Sequence, residues 1–273
     1  MIKTRSASLT HRLIVLWTVC VVIFLYIPMV AVVLASFSRQ RYFRFPIAKW
    51  DTVWYEKAFE SLSVRELVWT SLSIAVLVTI FSVILAFFGA LAFARYDWKG
   101  RKLYQRLVLL PIFFPQAVLG LALLLWFSAL GITTSWHTAV FAHMIWILPI
   151  VILIMSIQAY SFDPALEEAA FDLGASRWQV LKEVTLPILS PGIISGAIFA
   201  FLLSWGNFPL SLFSTGADQT VPEWLYSKMV SGYTPMVPTL GSLTMSGAAL
   251  IVALCYVTWL ILRSRRRAAG LGS

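Results

Sequence analysis

What this 273-residue sequence has little of already narrows its class. Only 12% of its residues are charged, against about 25% in an ordinary soluble domain. Sixty per cent are hydrophobic and the mean hydropathy is +0.84, which excludes a soluble globular fold and leaves a membrane protein. Cysteine is nearly absent: Cys20 and Cys255 both lie in apolar runs and form no CxxC pair, so neither a disulfide framework nor a metal site has support. Neither HExxH nor GxSxG occurs, so the zinc ligands or elbow-held serine of a membrane hydrolase are missing. No GxxxxGK[ST] loop is present, nor any Gly-Lys pair, so the chain has no phosphate-binding loop of its own. The net charge of +9 has no soluble face of interleaved basic and aromatic residues behind it, which argues against nucleic acid as a partner.

What is there is apolar length. Six stretches, about 13–37, 67–94, 107–130, 136–160, 188–213 and 239–262, meet or approach the roughly 18–20 residues needed to cross a bilayer core as helices. They predict an all-α polytopic membrane protein with six transmembrane helices in one domain over residues 1–273. The first run follows Lys3, Arg5 and Arg12 as a signal peptide would. It is long and has no clean small-x-small cleavage pattern, so it reads as a retained helix. The twelve Trp suit the two membrane–water interfaces.

No Asp, Glu, Lys or Arg falls inside any of the six stretches, which removes the intramembrane acids of ion-coupled carriers and the arginine rows of voltage sensors. His137 and His143 lie in the outer half of the fourth and read as hydrogen-bonded packing residues rather than a proton relay. Pro28, Pro111, Pro115, Pro149 and Pro209 predict bends. Gly192 and Gly196, spaced GxxxG, predict close helix approach at the start of the fifth stretch.

Fourteen of the twenty-one basic residues fall in the N-terminus, the 95–106 and 177–182 connections and the C-terminus. By the positive-inside rule both termini are then cytoplasmic. Six of the other seven, Arg39, Arg41, Arg44, Lys49, Lys57 and Arg65, sit in one outer loop, which weakens that assignment without reversing it.

The inner connection between the fourth and fifth stretches, residues 161–187, holds Asp163, Glu167, Glu168, Asp172 and Glu183, five of the twelve acidic residues. Asp163-Pro164 reads as N-cap and first helical residue, with Glu167 and Glu168 near the positive end of the helix dipole. Gly174 fits the left-handed position that ends a helix. Ser176-Arg177-Trp178-Gln179 then fits a capping box opening a second helix, in which Trp178, Leu181 and Val184 recur on one side and Pro187 is the stop. Two short helices meeting at a glycine are too short to span and too acidic to lie on anionic lipid. With no phosphate loop in the chain, they suggest a surface on which a separate ATPase docks, with Phe171 exposed between polar neighbours. A solvated chain reversal is the plainer reading of the same pattern.

Glu168-Ala169-Ala170, three residues, Gly174, nine residues, then Val184-Thr185-Leu186-Pro187 resembles the EAA signature of permease subunits of binding-protein-dependent ABC importers, EAA-x3-G-x9-I-x-LP, with Val184 in place of Ile. The resemblance implies the permease fold of type I ABC importers and makes residues 161–187 the coupling loop to the ATPase, with Glu167, Glu168, Ala169, Ala170, Phe171, Asp172, Gly174, Ala175, Ser176, Leu186 and Pro187 as its coupling residues.

Asp172-Leu173-Gly174-Ala175-Ser176, Phe213-Ser214-Thr215-Gly216 and the following VPEWLYSKMVSGYTP look like the second permease of spermidine/putrescine-type importers. That implies a small organic, polyamine-like cargo in a bacterial inner membrane. It also implies a second permease subunit, two cytoplasmic ATPases that carry ATP and Mg in place of any cofactor on this chain, and an extracytoplasmic solute-binding protein. Related importers carry phosphonates, opines or ferric iron. The stretch Leu203–Phe208 has no carboxylate where spermidine-type permeases tend to carry acids.

Gln116, Ser204, Trp205 and Asn207 are the groups that suit a midplane path, Trp205 by cation–π attraction to an organic cation, though hydrogen bonding between helices explains the polar ones equally well. An ATP-independent carrier or channel with a regulatory loop is the alternative function.

Overall fold

The computed structural model describes residues 5–40 and 46–268; Lys3, Arg41 and Arg44 of the charge count lie outside them. Helices α1 (Arg5–Ser36), α2 (Val53–Glu60), α3 (Leu62–Ala94), α4 (Arg101–Leu107), α5 (Leu110–Phe113), α6 (Gln116–Ala129) and α7 (Trp136–Tyr160) are followed by α8 (Ala165–Asp172) and α9 (Arg177–Val180). A π turn (Leu181–Thr185) leads into α10 (Leu186–Trp205), α11 (Pro209–Ser214), α12 (Val221–Ser231) and α13 (Met236–Ala268). Among the described residues there is no strand, only an isolated bridge between Ser38 and Trp50. The protein is all-α, with five helices among the described residues long and apolar enough to cross a membrane and a sixth candidate broken in two.

The chain divides into two compact units, residues 1–64 with 225–273, and residues 65–224. In the first, α1 and α2 pack on α13. Ser36 Oγ lies 2.6 Å from Tyr55 Oη, which donates to Ser242 Oγ at 3.3 Å, and Thr239 Oγ1 reaches the Ser36 carbonyl at 3.4 Å. Most apolar side chains of α1, from Leu13 to Ile27, are exposed within the chain. In a bilayer lipid covers such a surface without the cost that water would impose.

The second unit centres on α7 and α10. Ile147, Val151, Ile152 and Met155 of α7 are buried with Leu189 and Ala200 of α10 and Ile74 and Val78 of α3. A Cβ on Gly192 would stand 3.1 Å from Gln158 Cβ, and one on Gly196 would stand 3.0 Å from Val151 Cγ1. Both glycines are therefore spent on close approach of α10 to α7, as the GxxxG spacing predicts.

Two of the six predicted spans have a different form. The third, 107–130, is not one helix: Arg101–Phe113 and Gln116–Ala129 are set at 100° to each other across Phe114-Pro115. The fifth, 188–213, is displaced, because the helix begins at Arg177, ends at Trp205, and is followed by the separate α11. Pro187 therefore does not stop the second loop helix. Its missing N–H and its ring would break an α turn, but the preceding π turn widens the ladder, with the Leu186 N–H bonded to Leu181 O, and the helix continues. Pro28 and Pro149 likewise sit inside continuous helices, while Pro115 and Pro209 stand at breaks.

Candidate functional site

The acidic connection folds as helix, glycine, helix. Asp163 Oδ1 accepts the Ala165 N–H at 3.0 Å, so the carboxylate caps α8 and regular helix begins one residue after Pro164. At the other end Gly174 adopts φ +84°. Its N–H reaches Phe171 O at 2.9 Å and the Ala175 N–H reaches Ala170 O at 3.0 Å, the paired bonds of a Schellman close. The second helix opens on the capping box: Gln179 N–H donates to Ser176 Oγ at 3.4 Å, and Gln179 Oε1 accepts the Ser176 N–H at 2.8 Å. Local bonding thus specifies the whole reversal.

The surface of this loop is apolar at its tip and acidic beside it. Phe171 is 45% exposed, Leu173 89% and Trp178 68%. Water-facing side chains of this size are the material of interface anchors. Glu168, Ala169, Asp172 and Ser176 are exposed alongside them, Ala170 and Ala175 are half-buried, and Leu186 and Pro187 are half-buried at the start of α10. Leu173 and Trp178 belong to this surface although neither was among the expected coupling residues; Trp178 turns outward while Val180 takes the buried position.

The motif's own carboxylate, Glu168, makes no ion pair among the described residues. Its neighbour Glu167 turns inward, where its Oε2 lies 2.7 Å from Arg95 Nη2 and its Oε1 accepts from Thr185 Oγ1. The Arg95 and Glu167 side chains are only 9% and 16% exposed, and the guanidinium lies over the Phe162 ring at 3.9 Å. One carboxylate therefore joins the C-terminal end of α3, the first loop helix and the π turn below α10. In sequence Arg95 is only one of several cations after an apolar run, and nothing local marks Glu167 over Glu168 as its partner.

Side chains also fix the end of α3 itself. Trp98 Nε1 donates to Ala92 O, Arg101 Nε and Nη2 to Phe93 O and Ala94 O, and Gln105 Nε2 to Phe93 O, all between 2.7 and 3.1 Å. These bonds satisfy carbonyls that the helix terminus leaves open.

Three of the four residues expected on a midplane path, Ser204, Trp205 and Asn207, have partners within the chain. Ser204 is buried and bonds His143 Nδ1 at 2.9 Å; His143 Nε2 bonds Ser211 Oγ at 3.0 Å. The histidine is fully buried and ties α7 to both sides of the break after Trp205, as its packing reading expects. Asn207 is buried in that break, where its Oδ1 accepts the Leu210 N–H at 3.0 Å. Trp205 stacks on Phe201 with ring centroids 5.8 Å apart, and Gln116 is half-buried at the start of α6. His137 is exposed and stacks on Trp136. Among the described residues no group of His, Cys, Asp and Glu is arranged to hold a metal.

In fold the chain is a permease of the type I ABC importer class, and its capped helix–glycine–helix reversal is tied by a buried ion pair to the end of the membrane-length helix α3. The chain belongs to the family described as the binding-protein-dependent transport system inner membrane component, whose profile matches residues 79–267. It is 28% identical over 248 residues to the spermidine/putrescine transport system permease protein PotC of Shigella flexneri, covering 90% of this chain and 92% of that one. It is 30% identical over 247 residues to the putrescine transport system permease protein PotI of Escherichia coli K12, covering 88% and 86%. In fold it matches a chain of a bacterial alginate ABC transporter crystallised with its alginate-bound periplasmic protein. The TM-score is 0.69 at 20% identity, covering 92% of this chain and 93% of that one.

Proposed function

We infer that this chain is the permease subunit of an ATP-driven importer whose cargo is a polyamine or a closely similar small organic cation. The observation that carries the cargo is that relatives aligned over nearly the whole of both chains are named for spermidine and putrescine transport. The exposed Phe171, Leu173 and Trp178 at the tip of the reversal form the surface that enters a cleft of a cytoplasmic ATPase, and ATP and Mg stay on that partner. Both termini face the cytoplasm, a second permease completes the pathway, two ATPases dock inside and a solute-binding protein delivers cargo from outside. Closure of the ATPases draws the loops together and turns the pathway outward; opening returns it inward. Arg95, Glu167 and Thr185 carry the loop's displacement into α3 and α10.

A second reading of the cargo rests on the Leu203–Phe208 stretch, which has no carboxylate to pair with a polycation, and it assigns a phosphonate, opine or ferric-iron cargo to the same machine. The test is uptake of labelled putrescine and spermidine by proteoliposomes that hold the permease pair, the ATPases and the binding protein. ATP-dependent accumulation that excess unlabelled polyamine suppresses is expected. ATP-dependent uptake of another solute that polyamine leaves untouched would remove the cargo assignment and keep the permease.

A further inference from the structure

We propose that the segment from Tyr96 to Leu110 is a binding site for the headgroup of an anionic phospholipid in the leaflet on the coupling-loop side. The segment lies at the level where α3 ends and α7 ends, since Arg101 and Gln105 bond the last carbonyls of α3 and Gln105 also reaches Tyr160 at the close of α7. The 100° turn between Arg101–Phe113 and Gln116–Ala129 sets this stretch across the direction of the helix that follows.

The seven residues of α4 divide into faces. Arg101, Tyr104 and Gln105 point inward and hold α3. The outward face has two adjacent stripes, Lys102 and Arg106 at i and i+4 and Leu103 and Leu107 at i and i+4, all exposed. Leu110 continues the apolar stripe, 48% exposed. Leucines toward the acyl chains with cations beside them at headgroup level is the arrangement of a helix that lies in the interface. Trp98, Tyr96 and Tyr160, all exposed, are the side chains that favour the same depth.

The charge of the segment selects the lipid. Arg95 is committed to Glu167 and Arg101 to backbone carbonyls, whereas Lys99, Lys102 and Arg106 have no ion pair among the described residues. Asp97 is the only acid between Arg95 and Arg106. An open cavity of about 620 Å³, lined by Asp97, Trp98, Arg101, Lys102, Gln105 and Tyr160, gives a phosphodiester a place beside Lys102, with Lys99 and Arg106 close in the chain but outside the lining. A zwitterionic headgroup brings its own ammonium into the same field and gains less. The acidic coupling reversal on the same side has the opposite character and repels such lipid, so the two surfaces divide their partners.

The test is native mass spectrometry of the full chain in mild detergent, titrated with dioleoyl phosphatidylglycerol or dioleoyl phosphatidylcholine. Phosphatidylglycerol is expected to bind more tightly, with roughly a fivefold loss of that preference for each of Lys99→Gln, Lys102→Gln and Arg106→Gln. Lys49→Gln with Lys57→Gln, far from the segment in sequence, is expected to change nothing. Equal binding of the two lipids by the unaltered chain overturns the proposal without reference to any variant, as does a triple variant that keeps the preference. Displacement of the lipid by inorganic phosphate would assign the cavity to a free anion, and displacement by added ATPase would assign the surface to that partner; either outcome overturns the proposal.

Discussion

Arg95 shows how much one side chain can connect. A guanidinium and a carboxylate taken this far from water are favourable together and costly apart, so the pair is best tested by removing one member at a time. Arg95→Gln leaves Glu167 buried with Thr185 as its remaining partner and is expected to cost on the order of 3 kcal/mol, read as a fall in the detergent melting temperature. Arg95→Leu combined with Glu167→Leu should cost less than Arg95→Gln alone, because no unpaired charge is left behind. A double variant no more stable than the single one would mean that the pair contributes mainly attraction. His143 poses a milder version of the same question. His143→Leu strands the Ser204 hydroxyl and removes one of the two partners of Ser211, whose hydroxyl still donates to Asn207 O, and the expected loss is about 1–3 kcal/mol, with His143→Gln recovering part of it. A melting temperature unchanged in His143→Leu would show that Ser204 finds another partner across the break.

At the scale of elements, the coupling reversal was legible in sequence because its bonds span at most five residues. Asp163, Gly174, Ser176 and Gln179 each act on a backbone group close by, so residue type and spacing were enough to place both helix ends. The Arg95–Glu167 contact joins positions 72 apart, and no local pattern distinguishes that arginine from Lys99 or Arg106. The helix breaks were partly hidden for a related reason. Proline marks where a ladder is weakened, but neighbours decide whether it parts, so Pro149 stays within α7 while Pro115 stands at a 100° turn. Pro187 read as a stop because a π turn that absorbs the missing N–H leaves no signature in composition.

The legible part of the loop also gives a sharp prediction. No side chain crowds Gly174, so its requirement is the backbone angle of +84° alone. A β-branched residue there costs at least about 1–2 kcal/mol of local strain and opens the Schellman close, re-aiming Leu173 and Trp178. Gly174→Val is expected to reach the membrane at normal abundance and to leave ATP hydrolysis by the assembled importer running while uptake is lost. Normal uptake at normal abundance would sink the docking role of the loop.

For the whole molecule, the scarcity of charge that opened the sequence becomes a statement about energy. Apart from the Arg95–Glu167 pair at the end of α3, the buried titratable side chains in or beside the spans among the described residues of the 65–224 unit are His143 and Glu223, and both are engaged. His143 is held between two serines. Glu223 sits in the first turn of α12, accepting the Thr220 N–H and hydroxyl at 2.7 Å each and the Thr215 hydroxyl at 2.7 Å. A proton-driven carrier needs a carboxylate or imidazole that reaches water from one side and then the other, and such groups are conspicuous in spans because burying them is expensive. Neither group here has that freedom without unfolding the turn it stabilises. Uptake by the reconstituted importer should therefore depend on ATP and ignore the pH difference across the membrane. Dissipating that difference with an electroneutral exchanger, which leaves the electrical potential acting on a cationic cargo intact, is expected to leave the initial rate unchanged. Replacing ATP by a non-hydrolysable analogue is expected to abolish it. A rate that followed the pH difference at constant ATP would identify His143 or Glu223 as a working proton site and refute the structural role assigned to both.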